Sequence, residues 1–544
     1  DLARAYDGAG RTNESRGALE RLVKNYPRSE LAAESWFRIG EIAFGQGDYA
    51  AAETAFRKTL AERGSQPFVA NAEYMLGWAL FKRSRLPEAT DAFVVVLTRL
   101  QKQAEQNVRT ELRDDVLRTL GVLAEYQKGA ATLHAALERN RAENLAPLVY
   151  RSYYAFLLTR ERYQDAAAVV DHFIASYPQS PGRVAFHQFR IDAFEQGGLP
   201  SLAWEEKERV VSQVSPGTVY WNQQAEEGRT AVREFLYRNL DQLGRKYYAT
   251  APLSAEPRRD WKVAASYFER YVEMFPADAR TAEVLLLLAE SRLKQGDWQA
   301  AIPAFEKAAY EFPAYPERAA AAYAALSSYP ADLDWATQSD LRRTRVAAYE
   351  RFADTFAQDP RAAAVLLAAA SEHYALEDFE AAVKAAGSLS KAFDTAPAQA
   401  AVAGAQQLTS AQRMQTWEIL GHAHFKLQDY ALAEGSYARA LKELPERSGE
   451  RSALTENLAA SIYRQGEILQ QQGRLAEAKQ EYLRVLTVAP DTAVARTAHY
   501  DAAMRAIDLA EWTLAVELLS SYRQKYPLEA AAAEVGQKLV YSHQ

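Results

Sequence analysis

A repeat with a spacing of 37 residues constrains this chain more than any other feature. Gly40 and Gly77, Ala52 and Ala89, and Phe56 and Phe93 stand 37 apart, inside SWFRIGEIAFGQGDYAAAETAFRKTL (from Ser35) and EYMLGWALFKRSRLPEATDAFVVVL (from Glu73). The same order of Gly, Ala and aromatic returns in TWEILGHAHFKLQDYALAEGSYARALKELP (from Thr416), and weaker copies end at Pro178, Pro313, Pro490 and Pro527. Such periodicity marks a stacked array, because one unit cannot bury its apolar faces alone. Length and composition agree: 544 residues are too many for one core, and 48% apolar content is too high for general disorder.

Each unit reads as two amphipathic helices. In the Thr416 copy, Trp417, Leu420, Gly421 and His424 recur at i, i+3, i+4 and i+7, one helical face. A polar break (LQD here, GQGD from Gly45) precedes a second face of Ala433, Tyr437, Ala440 and Leu441, and Pro445 closes the unit. Small residues at Gly421 and Ala433 are expected to let the two backbones approach, with Trp417 and Tyr437 filling the space beside them.

These residues resemble the tetratricopeptide repeat, whose pattern is W-x2-L-G-x2-Y, then Ala, an aromatic, Ala and Pro. Trp417, Leu420, Gly421, Ala433, Tyr437, Ala440 and Pro445 match it, with His424 in the Tyr place. Other copies depart, Tyr154 replacing the small Gly and RSGERSALTEN following the Thr416 unit as an insertion. The resemblance implies an all-α, right-handed superhelical solenoid of helix-turn-helix repeats, with a concave groove lined by the first helix of each. Irregular stretches from Gln213, Tyr248, Leu326 and Phe393 interrupt the array. They divide it into residues 1-245, 246-393 and 413-544, with an Ala/Gln-rich linker at 394-412. The opening DLARAYDGAGR reads as a processed end. Neither end carries a polar cap, as expected of a section of a longer array or of ends that a partner covers.

Charge and composition narrow the partners. Sixty-four Lys+Arg against 71 Asp+Glu give a net charge of -7, which disfavours phosphate-rich nucleic acid or anionic lipid. There is no cysteine, hence no disulfide, thiol nucleophile or thiolate metal site. The longest apolar runs, such as VLLLLA from Val284, fall far short of the roughly 20 residues that span a bilayer. No phosphate loop, dinucleotide fingerprint, zincin or nucleophile-elbow motif occurs, so no cofactor and no enzymatic activity are expected. The DLD at Asp332–Asp334 lacks the remaining ligands of a calcium loop, and the sequon Asn13-Glu14-Ser15 falls in a helix-turn-helix break. Glu34-Ser35 and Glu290-Ser291 echo the Glu-Ser pair of peptidoglycan-cleaving solenoid enzymes, but both lie inside repeat positions.

His422 and His424 stand two apart and so point about 200° from each other on a helix, which excludes a shared metal ion. His424 falls on the core stripe. His422 falls with Glu418 on the face that the resemblance assigns to the groove. The same register gives Phe37 and Glu41, Tyr74 and Trp78, Glu418 and His422, Tyr463 and Glu467, and Tyr500 and Met504 as the partner-binding face. This aromatic and acidic set lacks the Lys and Asn residues with which chaperone-docking members of the family clamp a terminal carboxylate. By this facing, loss of Trp417 is costly and loss of His422 is cheap.

The junctions NYPRSELAAESWF, ASYPQSPGRVAF and QKYPLEAAAAEV resemble those of bacterial cell-envelope tetratricopeptide proteins, the outer-membrane assembly lipoprotein and Tol-Pal coordinator families. That resemblance implies a periplasmic, outer-membrane-associated adaptor with protein partners in an envelope complex. A second expectation is the accessory segment of an enzyme whose catalytic domain lies outside these residues.

Overall fold

The computed structural model describes residues 1–62, 67–104, 110–335, 337–393, 402–527 and 531–543. Among them the chain forms 28 α-helices joined by turns and short 3-10 segments, without a strand, as an all-α solenoid of paired helices. It divides into two units, Asp1–Asp278 and Ala279–Gln544.

The turn between the helices of a repeat follows one backbone rule. The first helix Ala32–Gly45 ends where Gly47 enters the left-handed region (φ 80°) and the Asp48 N–H donates to the Ala43 carbonyl at 2.9 Å. This 6→1 closure satisfies a carbonyl that the helix end would otherwise leave free. Asp48 then caps the second helix, Tyr49–Ala61, by accepting from the Ala51 N–H at 3.0 Å. Gly296–Asp297 and Glu377–Asp378 repeat the arrangement before Trp298–Tyr310 and Phe379–Phe393. The polar breaks in the sequence are therefore a stop and a start, set on adjacent residues.

Glycine on the first helix meets an aromatic ring on the second. A Cβ at Gly40 would stand 2.6 Å from the Phe56 ring, at Gly77 2.9 Å from Phe93, at Gly421 2.6 Å from Tyr437 and at Gly466 2.6 Å from Tyr482. Each pair is 16 residues apart, and all four rings are buried. The ring lies directly on the glycine, so the aromatic fills the space that the missing side chain leaves rather than space beside it. Gly244 and Phe268 make the same contact at 2.4 Å but 24 residues apart, because the connection 251–256 is longer and Phe268 lies one turn further into its helix, Pro257–Met274, than Phe56 does in Tyr49–Ala61.

Four second helices end on an aromatic that has left the helical region and is followed by proline: Tyr26-Pro27 (φ -133°, ψ 63°), Tyr177-Pro178 (φ -127°, ψ 60°), Phe275-Pro276 (φ -128°, ψ 54°) and Tyr526-Pro527 (φ -128°, ψ 60°). Proline disfavours helical backbone in the residue before it, which fixes the exit. Successive first helices also touch one another. Ala32–Gly45 packs on Val69–Lys82 in the first unit; Ala362–Ala375 on Ser410–Lys426, and Arg451–Gln471 on Ala493–Asp508, in the second. First helices thus share one face within each unit.

Three expectations change. The boundary at 245/246 falls inside the helix Glu226–Thr250, and the chain divides after Asp278 instead. Of the linker 394–412, residues 394–401 lie outside the described residues, while 402–408 fold back onto the second unit. There the Ala403 N–H donates to the Ala357 carbonyl (2.8 Å), Gln406 Nε2 donates to the Ala392 carbonyl (2.8 Å), and Val402, Ala405 and Leu408 are buried. The insertion after the Thr416 unit is largely helix: Arg451–Gln471 is a 21-residue first helix whose opening turns absorb SALTEN.

Candidate partner-binding face

In the first unit the four expected residues separate. Phe37 is buried between the rings of Phe56 (5.9 Å) and Phe68 (5.5 Å), a packing residue between repeats rather than an accessible one. Glu41, one turn on, is exposed. Tyr74 is half-buried and its hydroxyl donates to Asp115 Oδ2, 2.5 Å away on the next first helix, Thr110–Glu125. Half-buried Trp78 meets Tyr74 (6.3 Å), Phe81 (5.6 Å) and Phe93 (5.7 Å) edge-on.

The second unit repeats the tyrosine contact. Tyr463 donates to Asp501 Oδ2 at 2.7 Å, again from one first helix to the next, and its ring lies 5.2 Å from Tyr482. Burial and the neighbouring carboxylate push both the Tyr74 and Tyr463 phenols up, so each stays a neutral donor. Burial likewise raises Asp501, against the lowering effect of the Tyr463 hydrogen bond. Glu467 is paired with Arg464 at 2.6 Å. Tyr500, beside Tyr522 at 5.8 Å, and Met504 are half-buried.

His422 takes two roles. Its Nδ1 is hydrogen-bonded to the hydroxyl of buried Tyr437 at 2.7 Å, while Nε2 lies 3.5 Å from Glu418 Oε1. The ring also lies 5.8 Å from Tyr374, on the preceding first helix Ala362–Ala375. Groove-facing is therefore only part of the account: the imidazole satisfies the polar end of a core ring. His424 points elsewhere, its Nδ1 3.7 Å from Asp429, and its partial burial lowers its pKa. The two histidines do not converge, and no group of three or more metal-ligating side chains occurs among the described residues.

The Glu34-Ser35 pair lacks the raised carboxyl pKa of a general acid. Glu34 accepts from Arg38 (3.0 Å) and Arg4 (3.2 Å); partial burial works to raise its pKa, but these two cations outweigh it and hold the carboxyl below the usual glutamate range. Ser35 is buried, and buried Ser291 spends its hydroxyl on the Leu287 carbonyl at 2.7 Å.

Tertiary structure also assembles groups that no linear pattern announces. Buried Glu206 is hydrogen-bonded to His187 Nδ1 (2.7 Å), Arg190 (2.8 Å) and Arg209 (2.6 Å). Burial would raise its pKa, but the bonds from His187 and Arg209 and the Arg190 charge bring it down to about 2. Elsewhere a clasp occurs twice with its charges exchanged. Glu53, fifth in Tyr49–Ala61, accepts from Arg85 at 2.6 Å, whereas Lys479, fifth in Leu475–Val488, donates to Glu511. Arg85 and Glu511 each immediately precede the next second helix, 32 residues after their partner. The Gly-aromatic spacing was the signal for this register; the sign of the charge was not.

Family comparison agrees with this geometry. One tetratricopeptide-repeat family model matches residues 1–67, 40–104 and 254–319, and a second matches 459–492. These matched segments are tetratricopeptide repeats. Gly421 and Tyr437 show the same packing in a repeat outside the matched segments. Solved structures similar to the chain include the C-terminal part of a TPR repeat-containing protein from Cytophaga hutchinsonii, 12% identical, with 52% of this chain and 98% of that one covered and a TM-score of 0.23. Another is the TPR2AB domain of yeast Sti1 in its pHSP90 complex, 16% identical, covering 57% and 99%, with a TM-score of 0.25. Comparison with curated proteins finds no match. No helix among the described residues is long and apolar enough to cross a membrane.

Proposed function

We propose that these tetratricopeptide repeats are a non-catalytic scaffold that holds segments of partner proteins on the shared face of the first helices. One observation carries the reading. Trp78, Glu418, His422, Glu467, Tyr500 and Met504 hold equivalent places on first helices and remain only half-buried after the repeats have packed. Aromatic and charged side chains in that state offer contact area without large ordering cost. Pull-down from the native host, comparing wild type with the Tyr74→Ala/Trp78→Ala double variant, tests it. Loss of a partner with unchanged helicity supports the face as mapped, whereas unchanged capture counts against it. Tyr74→Phe serves as a control that keeps the ring and gives up the Asp115 bond.

The setting we propose is an adaptor in a bacterial cell-envelope complex, in the periplasm. Its support is the likeness of the NYPRSE, ASYPQS and QKYPLE junctions to envelope members of the family. Fractionation of the native host by osmotic shock tests this, and recovery with cytosolic markers would overturn it.

A further inference from the structure

We infer that Tyr374, Glu418 and His422 form a seat for one cationic side chain, lysine or arginine, of a polypeptide bound to the second unit. The inference rests on the scaffold reading above and gives one place on that face a chemistry.

Tyr374 sits on the last turn of Ala362–Ala375, and Glu418 and His422 lie one turn apart on Ser410–Lys426, the first helix packed against it. The rings of Tyr374 and His422 lie 5.8 Å apart, with their planes inclined by 31°. Glu418 stands at their edge with 37% of its side chain exposed. Its closest polar contact is the imidazole Nε2 at 3.5 Å, too long for a hydrogen bond. The Tyr374 hydroxyl has no hydrogen bond to any described residue.

Glu467, on the same register in the next repeat, has a cation, Arg464 at 2.6 Å, whereas Glu41 in the first unit makes no ion pair with a described residue. The arginines near Glu418 are committed elsewhere: Arg413 binds Glu443 at 2.9 Å, and Arg439 lies over the Trp417 ring at 4.7 Å. Lys426 stands two turns along the helix, about 12 Å away along the axis. Burial raises the phenol pKa of both Tyr374 and Tyr437, and the Glu418 charge adds to it in each. A half-shielded carboxylate beside an aromatic face is complementary to an ammonium or guanidinium, through charge and through the ring quadrupole. An anionic segment is repelled there.

Bead-displayed libraries of random peptides, each with its central residue set as lysine, arginine, norleucine or glutamate, test this with the whole chain. The lysine or arginine library should retain about tenfold more protein than the norleucine library, and Glu418→Gln should remove that preference. Tyr374→Phe should keep it and Tyr374→Leu should weaken it. Glu418→Lys, with helicity and melting temperature as folding checks, should shift the preference to the glutamate library. Equal retention by all libraries, or a preference untouched by Glu418→Gln, overturns the seat. If peptide capture still falls in Tyr74→Ala/Trp78→Ala under that outcome, the scaffold reading stands without it. If no library retains any variant, both fail.

Discussion

Nδ1 of His422 and the hydroxyl of Tyr437 lie 2.7 Å apart, so the imidazole completes a ring that is itself pressed onto Gly421. Phe56 and Phe93 hold the same place without a polar atom, whereas Tyr482, the other tyrosine on such a glycine, finds Gln470 Oε1 at 2.9 Å. A tyrosine in this seat brings a buried hydroxyl that needs a partner. His422→Ala is therefore expected to cost about 1 to 3 kcal/mol by leaving that hydroxyl unsatisfied. Adding Tyr437→Phe should recover much of the loss. A double-mutant cycle by urea unfolding measures the coupling, and additive costs would show the bond to be idle. The hydrogen bond makes His422 more costly to remove than its facing alone implies.

The glycine seats separate from other glycines. Gly421→Ala puts a Cβ 2.6 Å from the Tyr437 ring and should destabilise by about 1 to 3 kcal/mol through overpacking. Gly435, in the following second helix, has nothing within 4 Å of such a Cβ, and Gly435→Ala should stabilise by roughly 0.5 to 1 kcal/mol. Opposite shifts in urea midpoint are the expected readout.

Left-handed turn residues offer a gain. Ala510 holds φ 56° at the place where Gly47 and Gly296 stand in other repeats, and left-handed backbone costs a non-glycine residue roughly 1 to 2 kcal/mol. Ala510→Gly should raise stability by part of that amount, while Gly47→Ala should lower it. Differential scanning calorimetry of the two variants checks the sign.

The exchanged clasp predicts an asymmetry. Lys479 is buried and Glu511 is not, so Glu511→Gln strands a buried ammonium and should cost more than Lys479→Met, which removes the charge and keeps the packing. Expected costs are about 2 kcal/mol or more for the first and under about 1 for the second. Equal urea midpoints would overturn this account.

Glu206 gives the first unit an acid-sensitive element. Its pKa in the folded chain, about 2, lies below the ordinary glutamate value, so its stabilisation is complete above about pH 4.5 and is lost as pH falls toward 2. The shift is equivalent to roughly 3 kcal/mol in order of magnitude. Glu206→Gln should flatten the stability profile between pH 5 and pH 2, measured by urea unfolding at each pH, and leave it unchanged in shape above pH 6.

Much of the fold was legible because a repeat states its packing rules several times over. Gly40, Gly77 and Gly421 with Phe56, Phe93 and Tyr437 place the first helix against the second. The candidate face was less legible. Phe37 and Tyr74 share a register position, yet one is buried under Phe68 and the other reaches Asp115, because the next helix decides what covers them. Tyr374 lies in another repeat from His422, and no spacing within one helix joins them.

The sequence by itself determined the helix pair, its glycine seat and its left-handed stop, which are local matters of steric fit and backbone conformation repeated at a fixed interval. Tertiary structure alone decided which half-buried side chains stay free, where Glu206 finds its cations, and where the chain divides. Those outcomes depend on contacts between different helices, from 16 residues apart for Arg190 and Glu206 to 41 for Tyr74 and Asp115, and no such contact is written in the periodicity of a single helix.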